Sequence, residues 1–135
     1  MRNWITSREY RPNFVVTIDS LVLKIEGLLR DICRLSGGTT SYSARDSKDR
    51  TVEREKDIHM LLYDPQVVKL IGFDDLLFLR FLLVEKAGYN LRHRVAHALL
   101  LPGQYAFDYA NLLVLALLRL AKYDFRQPDD TSQKQ

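Results

Sequence analysis

The chain has 135 residues, enough for one domain with a buried core, and its 47% hydrophobic and 27% charged residues are ordinary for a globular protein. Its 20 Lys and Arg against 17 Asp and Glu leave a net charge of +3, which suits nucleic acid but is far below what binding by charge alone requires. A single cysteine excludes an internal disulfide framework and a multi-cysteine metal cluster. The first ten residues lack the apolar run of a signal peptide, and the most apolar stretch, 112–118, is shorter than the ~20 residues of a membrane span, so a soluble cytoplasmic protein is expected.

Residues 1–12 show no clear period and read as a loosely held arm pinned by Trp4. A long helix starts near Pro12 or Asn13, since proline suits the first helical turn and asparagine the cap. Val15, Ile18, Val22, Ile25, Leu29 and Ile32 step by three and four, and Phe14, Leu21, Leu28 and Leu35 widen the stripe. Gly37-Gly38 ends this helix, on which Cys33 reads as a packed core thiol. Residues 39–57 are polar, with ten charged residues among thirteen from 45 to 57, five of each sign. That pattern predicts a solvated loop or helix lead-in laced with i,i+4 pairs.

Ile58, Leu61 and Leu62 predict a short helix that Asp64-Pro65 interrupts. Val67, Val68, Leu70 and Ile71 predict another, closed by Gly72. Asp74-Asp75 cap a helix over 76–86 that ends at Gly88. The next helix carries residues 90–97 and is stopped by Pro102-Gly103. The last, about 104–124, has nine apolar residues among the ten from 112 to 121, which places it in the centre of the core or at a subunit interface. No strand-like alternation of useful length stands out. The chain reads as an all-α domain over 13–125 with a polar insertion after the first long helix, followed by a polar tail over 126–135.

Asn90-Leu91-Arg92-His93-Arg94-Val95-Ala96-His97 concentrates phosphate chemistry inside an apolar half. Cutting RNA with its own 2′-hydroxyl needs a base, an acid for the leaving 5′-oxygen, and a cation for the charge on phosphorus. Histidine exchanges protons near neutral pH, and arginine holds two phosphate oxygens at once. Gly88 breaks the chain just before the motif, so Arg92 is expected near a helix N-terminus. His93 and His97 share a helical face, but Arg92 points away from His97 on an ideal helix. Arg92 reaches the same phosphate only from the first turn or across a subunit interface.

The octapeptide resembles the Arg-polar-x3-His signature of the HEPN superfamily, helical domains found in bacterial toxins and antiviral ribonucleases. Leu61-Leu62-Tyr63-Asp64-Pro65, Gly88-Tyr89-Asn90-Leu91-Arg92 and Ala96-His97 are similar to its DUF4209 branch, which usually reads Asn-Leu-Arg-Asn and then Ala-His-Gly. The resemblance covers about the C-terminal half. It implies a HEPN-like helical bundle that dimerises with its motifs face to face and cuts RNA without a metal. Arg92 would grip the scissile phosphate, His97 would transfer the proton, and His93 and Asn90 would support them. Two departures stand out: His93 replaces asparagine, and Ala98 replaces glycine, adding a methyl group beside the catalytic position.

Each of these residues also has a structural explanation. Arg92 and His97 fit a partly exposed helix start with a satisfied core histidine. Arg94 is a surface or interface cation or a substrate contact. Tyr89 and Tyr105 flank the motif and either stack on a base or simply pack. Glu26 and Arg30 are an i,i+4 pair that supports the helix surface or faces and orients the motif. His93-x3-His97 matches a helical metal pair but lacks a third ligand, since His59 has no motif around it; no metal and no cofactor are expected. The expected function is a homodimeric, metal-independent endoribonuclease of toxin or antiviral defence, with RNA as substrate and an antitoxin or regulatory protein as further partner. The alternative is a non-catalytic RNA-binding or dimerisation module, or the C-terminal domain of a longer protein.

Overall fold

A computed structural model describes residues 13–125; the N-terminal arm with Trp4 and the tail from 126 lie outside the described residues. The first apolar stripe forms helix α1, Val15–Leu35, and the Asn13 side chain accepts the Val15 N–H at 3.0 Å. Ile18, Val22, Ile25, Leu29, Ile32 and Cys33 are buried on one face, whereas Leu35 is exposed. Full burial of an Ile or Leu contributes ~1.5–3 kcal/mol, so this face is the spine of the domain. Helices from both the middle and the end of the chain pack on it.

The polar insertion is not a loop or a helix lead-in. It is an antiparallel hairpin of β1, Ser41–Arg45, and β2, Thr51–Glu55, with Ala44 opposite Val52 and Tyr42 opposite Arg54. The fold is therefore mostly helical with a two-stranded sheet, rather than all-α. The anticipated i,i+4 pairs exist, Arg45–Asp49 at 2.7 Å and Asp46–Arg50 at 2.8 Å, but they close the hairpin turn. Asp46 also accepts the backbone N–H groups of Lys48 and Arg50, and the Arg50 bonds hold its carboxyl below the usual range. The same spacing that supports a helix can staple a turn when a carboxylate captures the backbone first.

Two short helices follow, α2 (Ile58–Leu62) and α3 (Pro65–Leu70). Asp57 caps the first by accepting the Met60 N–H, and Asp64 caps the second by accepting that of Gln66. Helix α4 spans Phe73–Leu83, starting and ending three residues before the expected bounds. Asp75 is not its cap. It is buried and reaches across to α6, Phe107–Ala121, where Arg119 and Lys122 pair with it. The Tyr123 hydroxyl donates to the same carboxylate and accepts the Gly72 N–H at 2.9 Å. The α6 helix is three residues shorter than expected at each end, and Pro102–Gln104 form a separate 3-10 turn before it. One face, Ala110, Leu113, Ala116 and Leu120, belongs to the core, while Phe107, Val114 and Leu118 on the opposite face are exposed. Among the described residues no helix is long and apolar enough to cross a membrane.

Bonds from Lys122, Tyr123 and Arg119 outweigh burial and hold the Asp75 carboxyl at about 2. That lies below the unfolded value of ~3.9, so its stabilising contribution is complete above pH ~4 and disappears as pH falls toward 2. Asp75→Asn is expected to cost about 2 kcal/mol at pH 7, since the buried position loses its ion pairs while Arg119 and Lys122 stay in contact with solvent. Urea unfolding at pH 7 and near pH 2 checks this: the gap between parent and variant should narrow at the lower pH.

Candidate functional site

The motif is placed by a turn that sequence alone would make ordinary. The Gly88 N–H bonds to Glu85 and the Tyr89 N–H to Phe81, folding the chain back over the end of α4. A Cβ at Gly88 would overlap the Phe81 carbonyl, so only glycine fits. Asn90 follows in the left-handed region at φ 47°, where asparagine is better tolerated than most residues. Leu91 is then fully buried and opens helix α5, Leu91–Ala96.

Arg92 lies in the first turn of α5, as expected, but the helix is only six residues long and does not continue to Pro102. It ends because Ala98 adopts φ 51°, with the Leu99 N–H closing back onto the Arg94 carbonyl at 2.8 Å. His97 therefore sits at the helix end rather than inside it. Arg92, His93 and His97 all line one cleft of about 290 Å³. The rings of His93 and His97 are 4.5 Å apart, tilted by 53°.

Glu26 of α1 accepts a hydrogen bond from Arg92 Nε, and its other oxygen meets Arg30 at 3.3 Å. Arg30 in turn pairs with Glu55 of the hairpin at 2.8 Å. Of the two readings open for Glu26 and Arg30, the geometry is that of a pair facing the motif. Holding Arg92 by Nε constrains the guanidinium plane through a bond that does not use its two Nη groups.

Asn90 also lines the cleft. Arg94, Tyr89 and Tyr105 do not. Arg94 donates to the Tyr109 hydroxyl at 3.2 Å, and Tyr89 packs edge-on against Phe81 and Tyr109. Tyr105 packs on the core, and burial with the nearby Asp19 carboxylate raises its hydroxyl above the usual value. Three further polar residues line the cleft without any motif to mark them in the sequence: Asp57, His59 and Lys86. The chain has three histidines, and all three line this cleft. No spacing rule links His59 to the motif, because only the packing of α2 beside α4 brings it there. Among the described residues no group of three His, Cys, Asp or Glu side chains has an arrangement that could hold a metal ion. With Lys86 and Arg92 against Asp57, the lining carries a net positive charge even with neutral histidines.

A scan against protein-family models finds no match, and searches of curated proteins and of solved structures return no similar chain.

The backbone at the two ends of the motif gives opposite expectations for one methyl group. Gly88→Ala should destabilise the fold by about 1–3 kcal/mol, because the neighbour it meets is backbone. Ala98→Gly should stabilise it by about 1 kcal/mol, relieving a left-handed alanine. Thermal unfolding of the two variants beside the parent tests both signs.

Proposed function

We propose that the protein is a HEPN-like, metal-independent endoribonuclease that works as a homodimer. The observation that carries this reading is the convergence of Arg92, His93 and His97 on one cleft, with Arg92 oriented through Nε by Glu26. In the reaction the 2′-oxygen of RNA attacks the adjacent phosphorus and the bond to the 5′-oxygen breaks. The 2′-hydroxyl proton goes to a base and an acid protonates the leaving oxygen, leaving a 2′,3′-cyclic phosphate and a 5′-hydroxyl. Arg92 offsets the charge that builds on the phosphoryl oxygens, and His97 transfers a proton. His93 supports it from the polar position beside Arg92.

Base and acid must stand on opposite sides of the phosphorus, whereas His93 and His97 are neighbours on one wall. A second copy related by a twofold axis supplies the opposite group. Leu99 and Leu101, exposed immediately after His97, support such a meeting of motifs. On this reading the enzyme acts in the cytoplasm, in toxin or antiviral defence, under the restraint of an antitoxin or another regulatory protein. A second reading, a non-catalytic RNA-binding or dimerisation module, draws on the Glu26 carboxylate, which offsets the charge of Arg92.

Purified protein should cut single-stranded RNA with EDTA present, and His97→Ala or Arg92→Ala should slow cleavage roughly 10²–10⁴-fold. Intact RNA with the parent, or undiminished cutting by His97→Ala, would sink the nuclease reading. RNA binding that survives loss of both residues would favour the module.

A further inference from the structure

Beside the motif, the cleft is lined by one member of an aromatic pair that the cleavage chemistry does not use. His59 lies in α2 and Tyr63 immediately follows it, and their rings stack at 4.8 Å with 25° between planes. Both are exposed. Exposed rings at a helix end are ordinarily free to rotate, but Tyr63, on which His59 stacks, is held at its face and at its hydroxyl. Arg80 of α4 lies 3.9 Å from the Tyr63 ring centroid. Its own guanidinium is held by the Leu62 carbonyl, to which Nε and Nη2 donate at 3.2 and 2.9 Å. The Tyr63 hydroxyl donates to Glu85, whose carboxylate raises the hydroxyl above its usual value. Arg80, Tyr63 and His59 thus form a supported stack whose last member, His59, lines the cleft shared with Arg92 and His97.

We propose that His59, backed by Tyr63, is a stacking shelf for one nucleobase of single-stranded RNA; this rests on the RNA reading above and extends it. The cleft's volume of about 290 Å³ lies just below the roughly 300–1,000 Å³ typical of ligand pockets, which suits one nucleotide and not a duplex. A base inside a helix has no free face, so a shelf of this kind takes only unpaired strands. With a phosphate at Arg92, the attached nucleotide reaches across the cleft, and a planar group there gains from an aromatic face already held in place. Asp57, Lys86 and Asn90 line the same space and present acceptors and donors to a base edge.

The test uses two labelled hexanucleotides of 2′-O-methyl RNA, which cannot be cut: one with bases and one abasic throughout. Binding is measured by fluorescence anisotropy with the parent, His59→Ala and His59→Phe. His59→Ala should bind the base-containing strand roughly tenfold more weakly and the abasic strand as the parent does, while His59→Phe keeps the parent's affinity. The shelf is overturned if His59→Ala binds both strands like the parent, or loses equally on both, or if His59→Phe fails as His59→Ala does. If the parent binds neither strand, the RNA reading itself falls and takes the shelf with it. If the parent binds but leaves unmodified RNA intact, catalysis alone is withdrawn and the shelf stands.

Discussion

A carboxylate on the central helix decides where the motif arginine points. Glu26 sits between two guanidinium groups, Arg30 on its own helix and Arg92 on α5, and Arg30 continues the line to Glu55 of the hairpin. Glu26 is only 14% exposed, so its interactions are less screened than those of a surface pair. Without it, two like charges would face one another beside the core with no acceptor between them. The line also couples parts that are remote in sequence: 66 residues separate Glu26 from Arg92, and the hairpin enters through a single strand residue. The guanidinium that would hold a phosphate is thereby positioned by the first element of the fold rather than by its own helix.

The same device, one partly or fully buried acid serving several donors, recurs at the two other joints of the domain. Asp64 caps α3 and accepts Lys56 at 2.7 Å, tying the end of β2 to the short helices. Burial pushes its carboxyl up, but Lys56 and the amides of Gln66 and Val67 outweigh that and leave it lowered. Asp75 gathers Arg119, Lys122 and Tyr123 and so clamps α4 to α6. A buried carboxylate is costly unless it is satisfied, which makes each joint specific about its partners. All three acids bridge elements that apolar packing alone would allow to slide.

The parts of the fold legible in the sequence are those where one periodicity dominates. Ile18 to Ile32 step along a single face, and that face is buried. Asp64-Pro65 stops one helix and starts another because proline constrains the residue before it and suits a first helical turn. The hairpin was hidden because neither of its faces is fully buried: charges occupy both sides, and no apolar alternation records the strands. Asp75 departs from expectation for a related reason, since an acid near a helix start is normally a cap or a dipole partner, and its other use depends on α6. His59 and Lys86 join the cleft through packing of segments that carry no mutual spacing. The Arg92–His97 cluster, by contrast, was visible as residues, but its geometry depended on where α5 ends.

That end point is imposed from outside. Six residues make a helix far too short to be stable by itself, and α5 lies between two left-handed residues, Asn90 at φ 47° and Ala98 at φ 51°. Local preference would not choose this conformation twice within nine positions, least of all at alanine. What imposes it is burial just inside and just beyond those residues: Leu91 is fully buried and Leu100 is 6% exposed. With those side chains in the core, the chain between them must complete its turns within a fixed span. His97 keeps its helical bond to the His93 carbonyl and closes α5 as the last residue on the face that lines the cleft. Strain of this kind persists where surrounding structure over-determines it. The geometry of the candidate site is thus a property of the core, and substitutions at Leu91 or Leu100 would disturb it without touching a single charged group.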